Sequence, residues 1–275
     1  MKATLPALCL ITLPLTAFGQ SSWPDHIDID LGFRNSATQP SDRAWGLRLG
    51  AGVESEPTFQ GSDSSEANID PFVVAQWHGE WGRLFLSGAG LGYSRVFNDR
   101  FGLLLNLEAE DARAEDDDSR LRGLGDQKEE LELEIVGRYY SGPWHVGASI
   151  APATGDKGLV WFFGGGRTWR PTDALFVTIN ADLSGSSASN QRTDFGISAQ
   201  QAANSEFGYS EYRPGGGLKS FGLELTADYK LSDRWFVYAE LGYERLLGDV
   251  ADSPLVKMGG SVNQAEAAIG LYFQF

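Results

Sequence analysis

The residues that could support nucleophilic or acid–base catalysis are few and poorly spaced. The chain contains three histidines, His26, His78 and His145, and a serine nucleophile needs a histidine within hydrogen-bonding reach. His145 and Ser149 share one face of a predicted strand, but four residues of strand span roughly 13 Å. Neither a zinc-type ligand cluster nor a glycine loop that opens a helix is present. The sequence therefore predicts that this protein is not an enzyme and needs no cofactor.

A second concentration of titratable groups is the acidic run Glu115-Asp116-Asp117-Asp118, within the segment 111–120. Several carboxylates together suit a hard cation such as Ca²⁺. However, the run lacks the spaced ligands and the turn glycine of a dedicated calcium loop. We therefore interpret it as a solvated acidic loop, and no metal site is predicted.

Other carboxylates recur at alternate positions of the chain. In the segment 130–140, Glu130, Glu132 and Glu134 alternate with apolar residues. Successive side chains of a strand point to opposite faces, so this strand has one charged face and one apolar face. Apolar residues facing outward and polar residues facing inward are typical of a transmembrane β-barrel. The residues predicted to line its interior are Arg48, Arg138, Glu130, Glu132, Glu134, Glu224, Asp228 and Glu240.

Two kinds of interior are compatible with these residues. In the first, water fills the barrel and the carboxylates favour cations. In the second, the carboxylates pair with cations of the loops in a plugged interior. A barrel of this size is narrow enough for side chains to fill most of it, and the sequence leaves both alternatives open.

The end of the chain carries a further sign of a membrane barrel. Phe275, Phe273, Leu271 and Ile269 lie on one face of the last predicted strand, opposite polar or small residues. A terminal strand that ends on an aromatic residue is typical of bacterial outer-membrane proteins, in which it closes the sheet because lipid tolerates no open edge. We therefore predict that Phe273 and Phe275 anchor the barrel in the membrane.

The start of the chain predicts secretion. Lys2 precedes an apolar stretch over residues 5–15, and Ala17-Phe18-Gly19 resembles a signal-peptidase site. Residues 1–19 are therefore a predicted signal peptide that is removed, leaving residues 20–275 as a single barrel domain. Cys9 is the one cysteine of the chain and lies in this segment. The net charge of −15 argues against nucleic acid as a partner.

Period-two alternation predicts an all-β fold, a closed antiparallel transmembrane barrel. A barrel with both ends in the periplasm has an even number of strands. The segment 27–33 completes a predicted set of about 12 strands, with 10 as the alternative. The other predicted strands are 44–53, 67–78, 82–92, 100–110, 130–140, 144–150, 157–169, 174–183, 221–231, 235–244 and the terminal strand.

The connections predict which end of the barrel faces the cell exterior. Long connections at 111–128, 184–217 and 247–262 are predicted extracellular loops, and the short turns between them are predicted periplasmic turns. Nearer the start, residues 54–66 are predicted as a periplasmic turn and residues 79–81 as an outer one.

Aromatic residues and the barrel signature predict location and partners. Seven of the eight tryptophans lie on predicted strands or at their ends, where aromatic girdles meet the two membrane interfaces. The predicted location is the bacterial outer membrane, reached after secretion to the periplasm. The predicted partners there are outer-membrane lipid, lipopolysaccharide and the barrel-assembly machinery.

The second half of the chain resembles the MipA/OmpV family of outer-membrane proteins. The motifs that carry the resemblance are Phe195-Gly196-Ile197-Ser198, Gly215-Gly216-Gly217-Leu218-Lys219, Tyr243-Glu244-Arg245-Leu246-Leu247-Gly248-Asp249 and Ala251-Asp252-Ser253-Pro254. The resemblance implies a scaffold that joins a murein lytic transglycosylase to a murein synthase. Other family members are described as porin-like proteins or adhesins, which implies as alternatives a narrow cation-preferring channel or a surface adhesin.

The same motif predicts a contact that holds an outer loop. Arg245 and Asp249 lie where a predicted strand enters the loop 247–262, and Asp252-Ser253-Pro254 is a predicted turn. We expect Arg245 to pair with a carboxylate and to pin this loop over the mouth of the barrel.

Overall fold

The computed structural model describes residues 44–88, 90–110 and 113–275. In these residues twelve antiparallel strands form a closed barrel, in which each strand pairs with its neighbours in the chain and β1 pairs with β12. The prediction of a closed, 12-stranded barrel is confirmed. The strands are β1 (Trp45–Pro57), β2 (Ser65–Gly79), β3 (Gly82–Ser87), β4 (Gly90–Phe97), β5 (Phe101–Glu110), β6 (Glu130–Ser141), β7 (Trp144–Pro152), β8 (Leu159–Thr172), β9 (Leu175–Ser186), β10 (Gly217–Lys230), β11 (Trp235–Leu246) and β12 (Asn263–Gln274).

One predicted strand is in fact a hairpin. The segment 82–92 divides into β3 and the start of β4, and Gly90 has a φ of +107° that favours glycine. A change of parity marks this turn in the sequence, because the exposed residues are even-numbered at Leu84 and Leu86 and odd-numbered from Leu91. The hairpin supplies the twelfth strand. The segment 27–33, which was predicted for that role, lies outside the described residues, as does the predicted signal peptide.

The additional strand reverses the predicted positions of the first two connections. Residues 58–64 lie at the same end of the barrel as the long connections that include 187–216 and 247–262, whereas residues 80–81 lie at the opposite end. The prediction of 54–66 as a periplasmic turn and 79–81 as an outer turn was therefore wrong, since each strand reverses the direction of the chain. We call the two ends the loop end, which is extracellular, and the turn end, which is periplasmic.

The outer face of the barrel is apolar over most of its height. Alternate residues on neighbouring strands, such as Val53, Ile69 and Ile269, are exposed although they are large and apolar. A surface of this kind is suited to the hydrocarbon of a bilayer. Among the described residues, no helix is long and apolar enough to cross a membrane.

The aromatic girdle is concentrated at the turn end. Of the seven tryptophans that the sequence placed at the interfaces, Trp161 lies near the loop end of β8. The other six lie where strands meet the short turns, namely Trp45, Trp77, Trp81, Trp144, Trp169 and Trp235. The C-terminus lies at this end too, where the backbone N–H of Phe275 donates to the carbonyl of Leu47 at 3.0 Å. Because indole rings favour the membrane interface, these residues set the depth of the turn end in the bilayer.

Two groups of buried apolar side chains lie in the turn half of the interior. One consists of Phe85, Leu104, Val136 and Tyr140, and the other of Phe236, Tyr238 and Tyr272. In the second group the rings of Phe236 and Tyr272 are stacked with their centroids 5.0 Å apart. We refer to both groups together as the aromatic layer.

Glycines on neighbouring strands make room for this layer. A Cβ atom on Gly92 would lie 1.9 Å from Cζ of Phe85, and one on Gly52 would lie 2.2 Å from the hydroxyl of Tyr238. These distances are far below van der Waals contact, so the tip of each ring occupies the space that a side chain at the glycine would need. The glycines of the inner wall thus allow large rings to fit inside a narrow barrel.

The loop end carries short helices. They are α1 (Ala188–Phe195), α2 (Ala199–Asn204), α3 (Gly248–Asp252) and α4 (Pro254–Lys257), with a 3-10 helix at Ser119–Leu121. Ser198 caps α2 in a capping box with Gln201, which satisfies backbone donors at the first turn. These connections are therefore folded elements that can pack against one another.

We expect Gly92→Ala to destabilise the barrel by about 1–3 kcal/mol, because the added methyl group must displace the buried ring of Phe85. The measurement is the temperature midpoint of the gel-shift that accompanies unfolding in detergent. Gly137→Ala is the matched control, since a Cβ atom at Gly137 meets nothing within 4 Å. Equal midpoints for the two variants would contradict this account of the inner wall.

Candidate functional site

The predicted interior residues lie at inward-facing positions of the strands. Arg48, Glu134 and Glu224 are buried, with 2%, 3% and 1% of their surface exposed. The remaining predicted residues lie on the inward faces of their strands and are partly exposed, namely Glu130, Glu132, Arg138, Asp228 and Glu240. Carboxylates dominate the loop half of this surface, which we call the carboxylate chamber.

Neutral side chains hydrogen bond to several carboxylates of the chamber. The side-chain amide of Asn180 donates to Glu224 at 2.5 Å, and that of Gln60 donates to Glu244 at 3.2 Å. Gln60 belongs to the connection after β1, so a loop of the loop end reaches into the barrel. Hydrogen-bond donors of this kind satisfy charged oxygens that burial removes from water.

Interior arginines lie beside the aromatic layer. The guanidinium of Arg83 lies 4.8 Å from the ring centre of Phe85, and that of Arg48 lies 5.9 Å from the ring centre of Tyr272. A cation over an aromatic face gains electrostatic stabilisation where water is scarce. The interior therefore has arginines among the rings of the turn half and carboxylates in the loop half.

A cavity remains along the wall formed by β6 to β9. Its empty volume, counted together with the adjoining space open to solvent, is about 570 Å³. The residues that line it include Glu134, His145, Ser149 and Asp182. The ring of His145 lies 6.1 Å from that of Tyr140. In the residues that the structure describes, no three histidine, cysteine, aspartate or glutamate side chains are close enough to hold a metal ion.

The connections at the loop end form a cap over the chamber, with a hydrophobic core of its own. Side chains from different connections are buried together in two clusters, which shows that the cap is a folded unit. The first cluster contains Phe59, Leu121, Leu124, Ile197, Tyr209 and Leu255. The second contains Phe195, Leu246, Val250 and Val256. Burial in the cap raises the pKa of Tyr209 to about 12.

Arg120 joins three connections of the cap. Its guanidinium donates to Ser62 at 2.7 Å and to Asp118 at 2.6 Å, and it also binds Asp63 and the backbone carbonyl of Gly259. These partners belong to the connections after β1, β5 and β11. A planar guanidinium with five donors can satisfy several acceptors at once. We call this group of contacts the Arg120 clasp.

The clasp corrects the interpretation of the acidic run. The side chain of Asp118 is only 8% exposed, and it also accepts a hydrogen bond from the hydroxyl of Thr58 at 2.7 Å. Hydrogen bonds from Arg120 hold the pKa of Asp118 well below its usual range. Glu115 accepts backbone hydrogen bonds from Gly123 and Gly125 at 3.0 and 3.1 Å. Part of the run is therefore structural, and it was wrong to describe all of it as a solvated loop.

Arg245 does not hold the loop in the expected way. It is exposed on the outward side of β11, and its guanidinium donates to the side-chain oxygen of Asn263 at 2.7 Å. Asn263 is an amide on β12, so the expected carboxylate partner was wrong. A strand alternates its faces, and the odd-numbered positions of β11 point away from the cap.

Other residues of the same motif fasten the loop. Asp249 accepts a hydrogen bond from the backbone N–H of Gly215 at 2.7 Å. Ser253 is fully buried, and its hydroxyl donates to the carbonyl of Phe195 at 2.7 Å. Ser253 is also the N-cap residue of α4, which begins at Pro254. Asp252 forms an exposed ion pair with Lys257 at 2.7 Å.

Sequence reasoning missed the cap and the Arg120 clasp. The signal that could have revealed the cap is the apolar content of the predicted loops, since Leu121, Leu124 and Val250 have no reason to lie in solvated segments. The clasp carried no such signal, because Asp63 and Gly259 are far from Arg120 in the sequence.

The closed sheet, its apolar outer band and the girdle at the turn end define a β-barrel protein of the bacterial outer membrane. The sequence profile described as "MltA-interacting protein MipA" matches residues 49–275. The chain therefore belongs to this family, and the resemblance that the motifs indicated is confirmed.

The chain is also similar to curated proteins and to solved structures. The MltA-interacting protein of Escherichia coli (strain K12) is 27% identical over 221 residues, covering 76% of this chain and 83% of the relative, and the protein of Shigella flexneri matches equally. The KdgM porin has a TM-score of 0.41 at 12% identity, covering 83% of this chain and 99% of the porin. The translocator domain of the autotransporter NalP from Neisseria meningitidis has a TM-score of 0.45 at 9% identity, covering 86% of this chain and 90% of that domain.

We expect Arg120→Gln to expose the cap to added protease and to speed cleavage about tenfold, because hydrogen bonds to a charged group each contribute about 1.5–3 kcal/mol. Arg122→Gln is the control, since Arg122 is exposed two residues further on. The measurement is the rate of cleavage within residues 113–129 of the folded barrel in detergent. Equal rates for the two variants would show that the clasp does not hold the cap.

The low pKa of Asp118 predicts how the clasp depends on pH. A carboxylate whose pKa is lowered by folding stabilises the fold above its unfolded pKa, which is about 3.9, and loses this contribution as the pH falls through the folded value. Asp118 should therefore still be ionised in the folded protein at about pH 4, and the natural cap should still resist pepsin there. Asp118→Asn lacks the ionised group and should be cleaved faster than the natural protein at about pH 4 and above; equally slow cleavage of the two proteins there would contradict the role of the ionised group.

We expect Ser253→Ala to lower the free energy of local opening of the loop 247–262 by about 1–2 kcal/mol, because the buried carbonyl of Phe195 loses its hydrogen-bond donor. Hydrogen exchange of the backbone amides of α3 and α4 measures the change. Arg245→Ala is the control that separates the two accounts of the motif, and we expect it to leave exchange in this loop unchanged. Faster exchange in Arg245→Ala alone would restore the expected role of Arg245.

Proposed function

We propose that this protein is an outer-membrane scaffold that binds a murein lytic transglycosylase at its periplasmic end and holds it together with a murein synthase. The observation that carries this proposal is the family match, which extends over residues 49–275 and so includes nearly all of the described barrel and its cap. The E. coli relative is named for its interaction with MltA. A match over the barrel itself favours a function that uses the whole folded unit.

The interior also favours a scaffold over a transport protein. The aromatic layer lies in the turn half of the barrel, and the cap covers the loop end with buried clusters and the Arg120 clasp. A solute would have to pass both. The carboxylate chamber is the observation that favours the alternative, a narrow cation-preferring channel, but it lies between these two closures.

A periplasmic enzyme would meet the turn end of the barrel. The turns there are short, and Leu231 in the turn after β10 is 55% exposed. Trp81, in the turn after β2, stacks on Tyr93 with the ring centroids 6.0 Å apart and accepts a hydrogen bond from the Tyr93 hydroxyl at 2.6 Å. Ordered turns of this kind present a surface that changes little on binding. Residues 20–43 precede β1 and are the second candidate for this contact.

We expect the purified full chain, immobilised in detergent, to retain a purified lytic transglycosylase. Arg234 is an exposed residue of the same turn as Leu231. Leu231→Ser together with Arg234→Ser should reduce retention by about tenfold or more, because interface hot spots of this size are common. Deletion of residues 20–43 tests the N-terminal segment separately, and reduced retention would assign the contact to that segment. The control carries Phe207→Ser and Met258→Ser, which alter exposed apolar residues at the loop end.

Two results would overturn the scaffold. One is retention that neither the turn variant nor the deletion reduces, because the contact would then involve neither of the two proposed periplasmic segments. The other is stepwise, cation-selective conductance of the purified protein in planar bilayers, combined with no retention of the enzyme. That pair of results would favour the channel.

A further inference from the structure

Charged residues are rare on the lipid-facing wall, and all of them have the same sign. At the outward positions of the described strands, the charged residues are Arg95 on β4, Arg167 on β8 and Arg245 on β11. Arg245 lies at the loop end and donates to Asn263. Arg95 and Arg167 lie near the turn end, among the residues of the aromatic girdle.

Arg167 lies between two exposed tryptophans. Its guanidinium carbon is 5.3 Å from the ring centre of Trp144 and 6.0 Å from that of Trp169. Trp144 is the cross-strand partner of Arg167, and 58% of its surface is exposed. The two indoles restrict the guanidinium to the level of the girdle and leave its outer side open to the bilayer.

Two cations near the turn end have carboxylate partners, and Arg167 does not. Arg170 is paired with Asp173 at 3.6 Å, and Lys230 is paired with Asp233 at 2.8 Å. Within the described part of the chain, no acidic side chain is paired with Arg167. Its donors lie on the lipid-facing side of the wall, where a lipid could supply the acceptor.

We propose that Arg167, together with Trp144 and Trp169, binds the phosphate group of a phospholipid in the periplasmic leaflet. A lipid-facing cation is costly at the middle of a bilayer, and the cost falls toward the interface, where phospholipid phosphates lie. The guanidinium geometry suits a phosphate, which can accept two parallel hydrogen bonds. The indole faces then contact the glycerol and upper acyl region of the same lipid.

The position of the site favours a lipid over a dissolved anion. Arg167 lies on the outer wall and not in a turn, so a phosphate reaches it most easily when acyl chains hold it at that depth. The site is at the turn end, on the side of the membrane away from lipopolysaccharide. The proposal does not depend on the scaffold function, because no murein enzyme takes part in it.

The test measures binding of phosphatidylglycerol to the full chain in a phosphate-free detergent by native mass spectrometry. We expect Arg167→Gln to weaken retention of one lipid about tenfold, which is the size of one charge-assisted hydrogen bond. Arg245→Gln, an outward arginine at the opposite end, should bind as the natural protein does. Arg167→Lys keeps the charge but not the planar guanidinium, and its retention of the lipid should lie between that of the natural protein and that of Arg167→Gln. A gel-shift on heating confirms that each variant is folded.

Two further binding measurements identify the chemical group that is bound. A diacylglycerol with the same acyl chains lacks the phosphate, and it should bind the natural protein and Arg167→Gln equally. Inorganic phosphate at millimolar concentration should not displace the lipid. Equal retention of phosphatidylglycerol by the natural protein and Arg167→Gln would overturn the proposal. Displacement of the lipid by inorganic phosphate would overturn it too, because the site would then bind free anions.

Discussion

A membrane interior offers no hydrogen-bond partner to the peptide backbone, and the rest of this structure depends on that constraint. Every strand edge has to be paired, and the pairing of β1 with β12 closes the sheet from Arg48↔Gln274 to Ser55↔Ala267. Closure fixes which residues face lipid and which face the interior. It also brings the last aromatic residues of the chain to the level of the tryptophan girdle.

The same closure creates a narrow interior that the chain fills in two ways. In the turn half, large rings lie against glycines such as Gly92 and Gly52, because only a residue without a side chain allows this approach. In the loop half, carboxylates line a chamber that amides such as Gln60 reach from above. The cap then covers the chamber with its own hydrophobic core and with Arg120. The barrel also presents its turns and its outer wall as two surfaces that partners can reach.

Those two surfaces meet different neighbours. The turns face the periplasm, where the family relationship places a murein enzyme as the proposed partner. The outer wall faces lipid, where Arg167 offers donors to a phosphate at the depth set by Trp144 and Trp169. A lipid contact of this kind would help fix the height and tilt of the barrel and so the position of the turns. The two proposals together therefore assign the membrane a part in positioning the binding surface.

The sequence by itself determined the all-β class, the inward and outward faces of strands such as β6 and β11, and the family. Period-two alternation is a local property, so residues near one another in the chain carry it. The sequence also contained a sign of the β3–β4 hairpin, because the outward apolar residues change from even to odd positions after Leu86. The segment 82–92 is rich in apolar residues throughout, so it was predicted as one strand. Only the tertiary structure decided the cap, the partner of Arg245 and the role of Asp118. Each depends on residues distant in sequence, as Arg120 and Gly259 are, and no local periodicity records which of many surface charges will meet once the barrel has closed.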